Sequence, residues 1–424
     1  MIAEKSQTAQ TVIDKISASA GKVGYLSDAL LGKALVTLEN KGFPNNKVED
    51  YKYCNMDAIL KKEFRNIEQK FVSTVDLKAF KLDEAVTLVV LNGEYSAQLS
   101  DKLILQGLHI NELSNLDAKG SAKIASLANV ESDAFIALNT AFCRGGFHLR
   151  INKNENLRMP LHIIYVNAAE GEALVNTRNL IELEEGSSAT IVEHYVGAVQ
   201  GKVFSNYLSE KIVAASAKLN CYTIQEEGAQ GYSLCTNQVT VAENANYDNT
   251  TITLSGALVR NNHNVEIKGQ YAAAHLYGLF SAKGTQLVDN HTLMDHQVPN
   301  CESNELYKGI INDKAVGVFN GKIFVRKDAQ KTNAYQSSKN ILLSDDGTIN
   351  TKPQLEIYAD DVKCSHGTST GRIDEDALFY LNARGIGKES GRKLLLASFA
   401  GEVLQRIELE ELKARLETAF ENEL

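Results

Sequence analysis

The chain has no tryptophan, only four prolines and only six cysteines among its 424 residues. Without tryptophan, the repeating Trp-Asp signature of one propeller class is missing. The prolines (Pro44, Pro160, Pro299 and Pro353) leave long stretches free of the one residue that cannot donate to a sheet ladder. The cysteines, at positions 54, 143, 221, 235, 301 and 364, make no CxxC pair, no metal-finger spacing and no dense disulfide framework. Reduced thiols in a cytoplasmic setting are therefore expected. Basic charge is also short. Lys and Arg number 44 against 53 Asp and Glu, a net charge of −9, which argues against a nucleic-acid binder. Such a surface suits a protein partner or a cation and selects neither. The longest apolar runs, such as "LHIIYV" at 161–166, fall far below the roughly 18 residues that span a bilayer, so no membrane span is expected. "MIAEKSQTAQTVIDKISASA" has no apolar h-region, so no signal peptide is expected either.

By the same kind of absence, the chain is not expected to hydrolyse nucleotide by itself. "RGIGKESGRK" places Asn382 and Glu389 where a phosphate loop needs glycine and serine or threonine. "RGGF" at 144–147 is no dinucleotide fingerprint, and no serine stands in a GxSxG setting.

What is present changes texture twice. Residues 1 to about 70 carry apolar residues at mixed three and four spacing, interrupted by the proline-bearing "GFPNNKVEDYKYCN", and predict helices. From about 80 to 360, short alternating segments follow one another between Gly, Asn and Asp turns: "ATIVEHYVG", "NTTITLSG", "HNVEIKGQ", "GVFNGKIFVR". Few tight hairpin signals and little proline favour stacked strands, a β-helix, over a sandwich or propeller. Such a solenoid needs its ends covered. After Asp374, a plausible N-cap, "EDALFYLNAR", "KLLLASFAGEVLQRI" and "ELEELKARLETAF" predict helices that cap the β region or dock a partner. The predicted architecture is mainly β, a β-helix core at 76–366 between helical segments at 1–75 and 367–424.

Two constellations could carry chemistry. In "YADDVKCSHGTSTGRID", Val362, Cys364 and His366 share one face of a predicted strand. Cys364 and His366 can be metal ligands or a core cysteine and its neighbour. Asp360 has the same parity. Iron–sulfur and structural zinc sites want four ligands, so a site here is incomplete in one chain and needs sulfide or a partner's donors. "DNHTLMDHQVPNCES" gathers Asp289, His291, Asp295, His296 and Cys301, a composition that suits a transition metal. Polar turn residues between strands would look the same.

"KPQLEIYADDVKCSHGTSTGRIDEDALFYLNARGI", residues 352–386, closely resembles the C-terminal signature of the SufB/SufD family of iron–sulfur cluster assembly proteins. "CESNELYKGIINDKAVGVFNGKIFVRKDAQKTNAYQSSKNILLS", 301–344, is similar to its preceding block. "GFPNNKVEDYKY", 42–53, is similar to its N-terminal element, with Tyr51 where tryptophan is usual. Two features resemble the SufD branch rather than SufB. "VKCSHGT" stands where SufB reads "VEHEA", and "SSKNILLSDDGTIN" lacks SufB's upstream cysteine. The resemblance implies a right-handed parallel β-helix and a non-ATPase scaffold subunit. It further implies pairing with a SufB-like chain, and docking of a SufC-like ABC ATPase on the C-terminal helices. Cys364 and His366 then match positions at the interface, where iron or a transient iron–sulfur cluster is handled. A homodimer of the isolated chain and a reduced flavin in the complex stay open. So do a purely structural scaffold and a secreted β-helix polysaccharide lyase or hydrolase.

Overall fold

A computed structural model of the chain describes residues 7–17, 25–65, 67, 70–72, 75–102, 105–116, 118–198 and 201–423. The strands form two sheets of ten strands each, and from Gly145 to Thr351 successive strands fall alternately into one and the other. A strand therefore pairs with the one a full turn away. Asn246–Ser255 lies beside Ala273–Ala282, and Asn333–Leu342 lies between Glu302–Ile311 and Lys363–Gly371. Pairing is parallel along both walls, and antiparallel where Val86–Leu91 meets Glu94–Tyr95, where Leu108–Glu112 meets Gly145–Ile151 and at an isolated bridge between Phe71 and Ala169. This is a parallel β-solenoid, as the alternating segments and scarce proline predict.

One corner of each turn explains the repeat. Asn154, Gly186, Ser216, Asn244, Tyr271, Asn300 and Lys331 all have positive φ, between 55° and 68°. This left-handed step reverses the chain sharply, and it favours Gly and Asn. The corners stack: Asn154 N donates to Glu185 O, Gly186 N to Ala215 O, Ser216 N to Glu243 O and Asn244 N to Gln270 O, at 2.8–3.0 Å.

The interior is apolar at one end of each rung, where Leu149, Ile163, Ile181, Val239, Val265 and Ile323 are buried together. Elsewhere it is polar. Thr253 Oγ1 donates to Gln225 Oε1, and Asn261 Nδ2 to Asn290 Oδ1. In "NTTITLSG" the apolar residues point outward. Ile252 and Leu254 pack with Leu396, Val403, Leu412, Leu416 and Phe420 of the C-terminal helices Lys388–Leu404 and Glu410–Glu423. Those two helices cover one outer wall.

The helical expectation for the first 70 residues is met by Gln7–Ser17, Asp28–Lys41 and Met56–Glu63. Residues 18–24 of that stretch lie outside the described residues. The β-only expectation for 80–360 misses helices Ala118–Lys123 and Ala134–Phe142. The second, "AFIALNTAF", is buried along nearly its whole length, so its apolar residues carry no 3.6 period to distinguish it from a buried strand.

Candidate functional site

The last strand, Lys363–Gly371, ends one sheet. Its inner edge is bonded to Asn333–Leu342, with Cys364 beside Ala334 and His366 beside Gln336. Its outer edge has no strand neighbour among the described residues, so it presents backbone donors and acceptors ready to pair. The opposite wall is broken at the same level. Thr348–Thr351 and Gln354–Ile357 both pair with Val316–Val325, but Lys352 and Pro353 interrupt them. Proline has no N–H to continue the ladder.

This open end sets the exposure of the two candidate ligands. Cys364 is half-buried, at the margin of the main core beside Val362. Small residues stack beneath it: Ala334, Ser303 and Ala274 in successive strands. His366 points from the same face and is exposed. Burial pushes the Cys364 thiol above its ordinary range, partly offset by a hydrogen bond from the Ala334 backbone. A bound metal would reverse that, since metals bind thiolate. Asp360 adds nothing to the pair. No group of three or more His, Cys, Asp and Glu side chains placed to hold a metal occurs among the described residues.

The second constellation is split. Asp289, His291, Asp295 and His296 lie on strand Leu287–His296, Cys301 lies in the connector after it, and alternation sends the strand's members to opposite sides. Asp289 faces out, 2.5 Å from Arg260 and 2.9 Å from His291. Asp295 binds Arg326 at 2.8 Å. His296 turns inward to Ser303 Oγ at 2.9 Å, and Cys301 is buried with its thiol donating to Gly269 O. These five residues do not converge.

Residue-by-residue reading misses two interior polar groups behind His366. Gln336 is its register partner, and Glu305 is the register partner of Gln336. The spacing of about thirty residues from turn to turn, applied backward from His366, would have found both.

The C-terminal helices are used in two ways. Lys308 Nζ donates to Phe399 O at 2.8 Å, and Tyr222 Oη accepts from Glu408 N at 2.9 Å, fixing the last two helices to the wall. Helix Glu375–Ala383 instead leaves Phe379 74% and Tyr380 59% exposed. Its N-cap is as predicted: Asp374 Oδ1 accepts from Asp376 N and Ala377 N at 3.0 Å. No helix among the described residues is long and apolar enough to cross a membrane.

Comparison with known proteins agrees with this geometry. Residues 164–399 match the family model described as "SUF system FeS cluster assembly, SufBD core domain", and 23–163 match "SufBD protein N-terminal region". The chain is 30% identical to the iron–sulfur cluster assembly protein SufD of Escherichia coli, covering 90% of this chain and 89% of that one. It is 27% identical to the chloroplastic protein ABCI7 of Arabidopsis thaliana, over 96% of this chain and 88% of that one. The SufD of Bacillus subtilis is 29% identical over 70% of this chain and 68% of its own. An open-ended β-solenoid, a paired thiol and imidazole on its last strand, and a family match over most of its length place this chain in the SufBD family of iron–sulfur cluster assembly scaffold proteins.

Proposed function

We propose that the chain is a non-ATPase scaffold subunit whose strand Lys363–Gly371 docks a SufB-like chain, so that Cys364 and His366 face a shared boundary. The observation that carries this reading is their position. Both donors stand on the last strand, on the margin of an open end, with no third ligand converging among the described residues. Iron or a nascent cluster held there takes its remaining donors from sulfide and the partner. Cys364 binds as thiolate, and His366 binds through a ring nitrogen or moves a proton at it. The exposed Phe379 and Tyr380, with Leu394 at 51% exposure, suit an apolar contact with a SufC-like ATPase, which supplies the nucleotide chemistry this sequence lacks. Dimerisation of two such ATPases on ATP would strain the paired ends and open the boundary. In this division of labour 76–366 is the scaffold and 367–424 the docking segment, in the cytoplasm or an equivalent compartment.

The test is anaerobic co-expression with SufB- and SufC-like chains, followed by iron and sulfide analysis. His366→Ala is expected to lower cluster content severalfold while the complex still copurifies. Full loading in both His366→Ala and Cys364→Ala would leave only a structural scaffold. The absorption spectrum of the same complex reports any bound reduced flavin.

A further inference from the structure

Behind the open end lies a row of polar side chains. Glu305, Gln336 and His366 occupy one register position on three neighbouring strands, all facing inward. Strands in a sheet are about 4.8 Å apart, so the row runs roughly 10 Å into the solenoid. Glu305 is fully buried, and Thr292 of the opposite wall donates to its Oε2 at 2.5 Å. Gln336 is 3% exposed, and neither its carbonyl oxygen nor its amide nitrogen has a hydrogen-bond partner among the described residues; Glu305 Oε1 has none either. Across from it stands Gly321. A Cβ there would come within 2.3 Å of the Gln336 carboxamide nitrogen, so the missing side chain makes room for that amide. Buried polar groups ordinarily find partners, and an orphaned carbonyl beside a buried carboxyl signals an absent one.

We propose that Glu305, Gln336 and Thr292 form an inner station for a divalent iron cation, filled or emptied through His366. The donor set selects the ligand. Carboxylate, carboxamide and hydroxyl oxygens are hard donors that suit a divalent cation. A carboxylate repels sulfide, and no thiol stands in this row. His366 is the exposed member and marks the mouth. This deepens the proposed function by giving iron a place to wait that belongs to this chain alone.

The test uses the purified full-length chain under anaerobic conditions. Ferrous iron binding is measured by equilibrium dialysis, and Co²⁺ serves as a spectroscopic probe. The wild-type chain is expected to bind one ion, and Glu305→Gln to weaken it by about tenfold to a hundredfold, the loss of one charge-assisted contact. The Co²⁺ spectrum should be weak, lack a thiolate charge-transfer band and survive Cys364→Ala. Where thermal melting shows that Glu305→Gln does not fold, Gln336→Leu gives the second reading, with weakened binding expected. Binding unchanged in the folded variants, a thiolate band that vanishes in Cys364→Ala, or no ion bound by the wild-type chain would overturn the station. The wider reading fails on different evidence, full cluster loading of the co-expressed complex in both His366→Ala and Cys364→Ala.

Discussion

Arg178 and Glu210 show how single residues tie this fold together. They lie on adjacent strands, Glu172–Leu183 and Lys202–Val213, and both are fully buried. Arg178 Nε and Nη2 donate to Glu210 Oε1 at 3.0 and 2.8 Å, and Nη1 donates to Thr140 in helix Ala134–Phe142. Glu210 also accepts from the backbone N–H groups of Ala125, Leu127 and Ala128. Ala125 sits at φ 64°, a conformation costly for a residue with a Cβ. One carboxylate thus satisfies a guanidinium and holds an irregular loop against the wall. Glu210→Ala leaves the buried guanidinium uncompensated and is expected to cost about 3–5 kcal/mol. Glu210→Gln, which keeps acceptors for the loop, should cost less. Urea unfolding of the two variants checks the order. None of this is legible in the sequence, where Arg178 and Glu210 read as ordinary surface charges on alternating strands. The same blindness hid Glu305 and Gln336. Alternation tells which residues share a face, but only the tertiary covering tells which face is dry. That Cys364 and His366 share a face was legible because they stand two apart in one strand segment.

At the scale of elements, the clasp between the C-terminal helices and the first β segments carries its own pH dependence. Leu82 N donates to His162 Nδ1 at 3.4 Å, His162 Nε2 lies 3.3 Å from His194 Nδ1, and His194 Nε2 lies 2.9 Å from Glu226 Oε2. Arg415 of the final helix reaches Glu226 at 3.4 Å and the Phe80 carbonyl at 3.0 Å. The pattern fits neutral rings with Nε2 protonated on each, because His162 Nδ1 must accept. Burial holds His162 well below its ordinary value, with His194 adding repulsion, and burial also lowers His194 despite the Glu226 carboxylate. Unfolded histidine therefore takes up protons that the folded rings refuse. Stability is fully present above the ordinary histidine value of about 6.5, and is lost as pH falls through that value toward the lower folded ones. Glu226 is itself held below its ordinary value, against the pull of burial, by His194 and Arg415. Its contribution is lost in the same direction at still lower pH. Limited proteolysis of the Glu410–Glu423 helix is expected to speed up between about pH 7.5 and 5.5, and His162→Gln should flatten the change. An equal rate at both values would mean that the clasp does not feel these rings.

The whole molecule is a stack in which each turn touches chiefly its neighbours, so stability is local along the axis. The covering differs along the axis. The strands from Glu172 to Val325 are paired on both sides and mostly buried. The N-terminal helical region packs Phe43, Tyr51, Leu60 and Phe64 with the solenoid's Leu174, Phe204 and Leu234. The last turn has only the short, broken Thr348–Thr351 and Gln354–Ile357 facing a strand that is exposed along nearly its whole length. Few buried contacts and a free edge make this the end that opens first. Amide hydrogen exchange is therefore expected to be slow in the strands from Gly231 to Val325, faster in Asn333–Leu342 and fastest in Lys363–Gly371. Binding of a SufB-like chain should then protect Lys363–Gly371 and Asn333–Leu342 and leave the earlier turns unchanged, because pairing at an edge adds bonds only to the strands it touches. Protection appearing instead on the earlier turns, with Lys363–Gly371 still exchanging freely, would move the docking surface away from Cys364 and His366. The shared boundary would fall with it, because ligands at an edge that no partner covers cannot gain the donors this chain lacks.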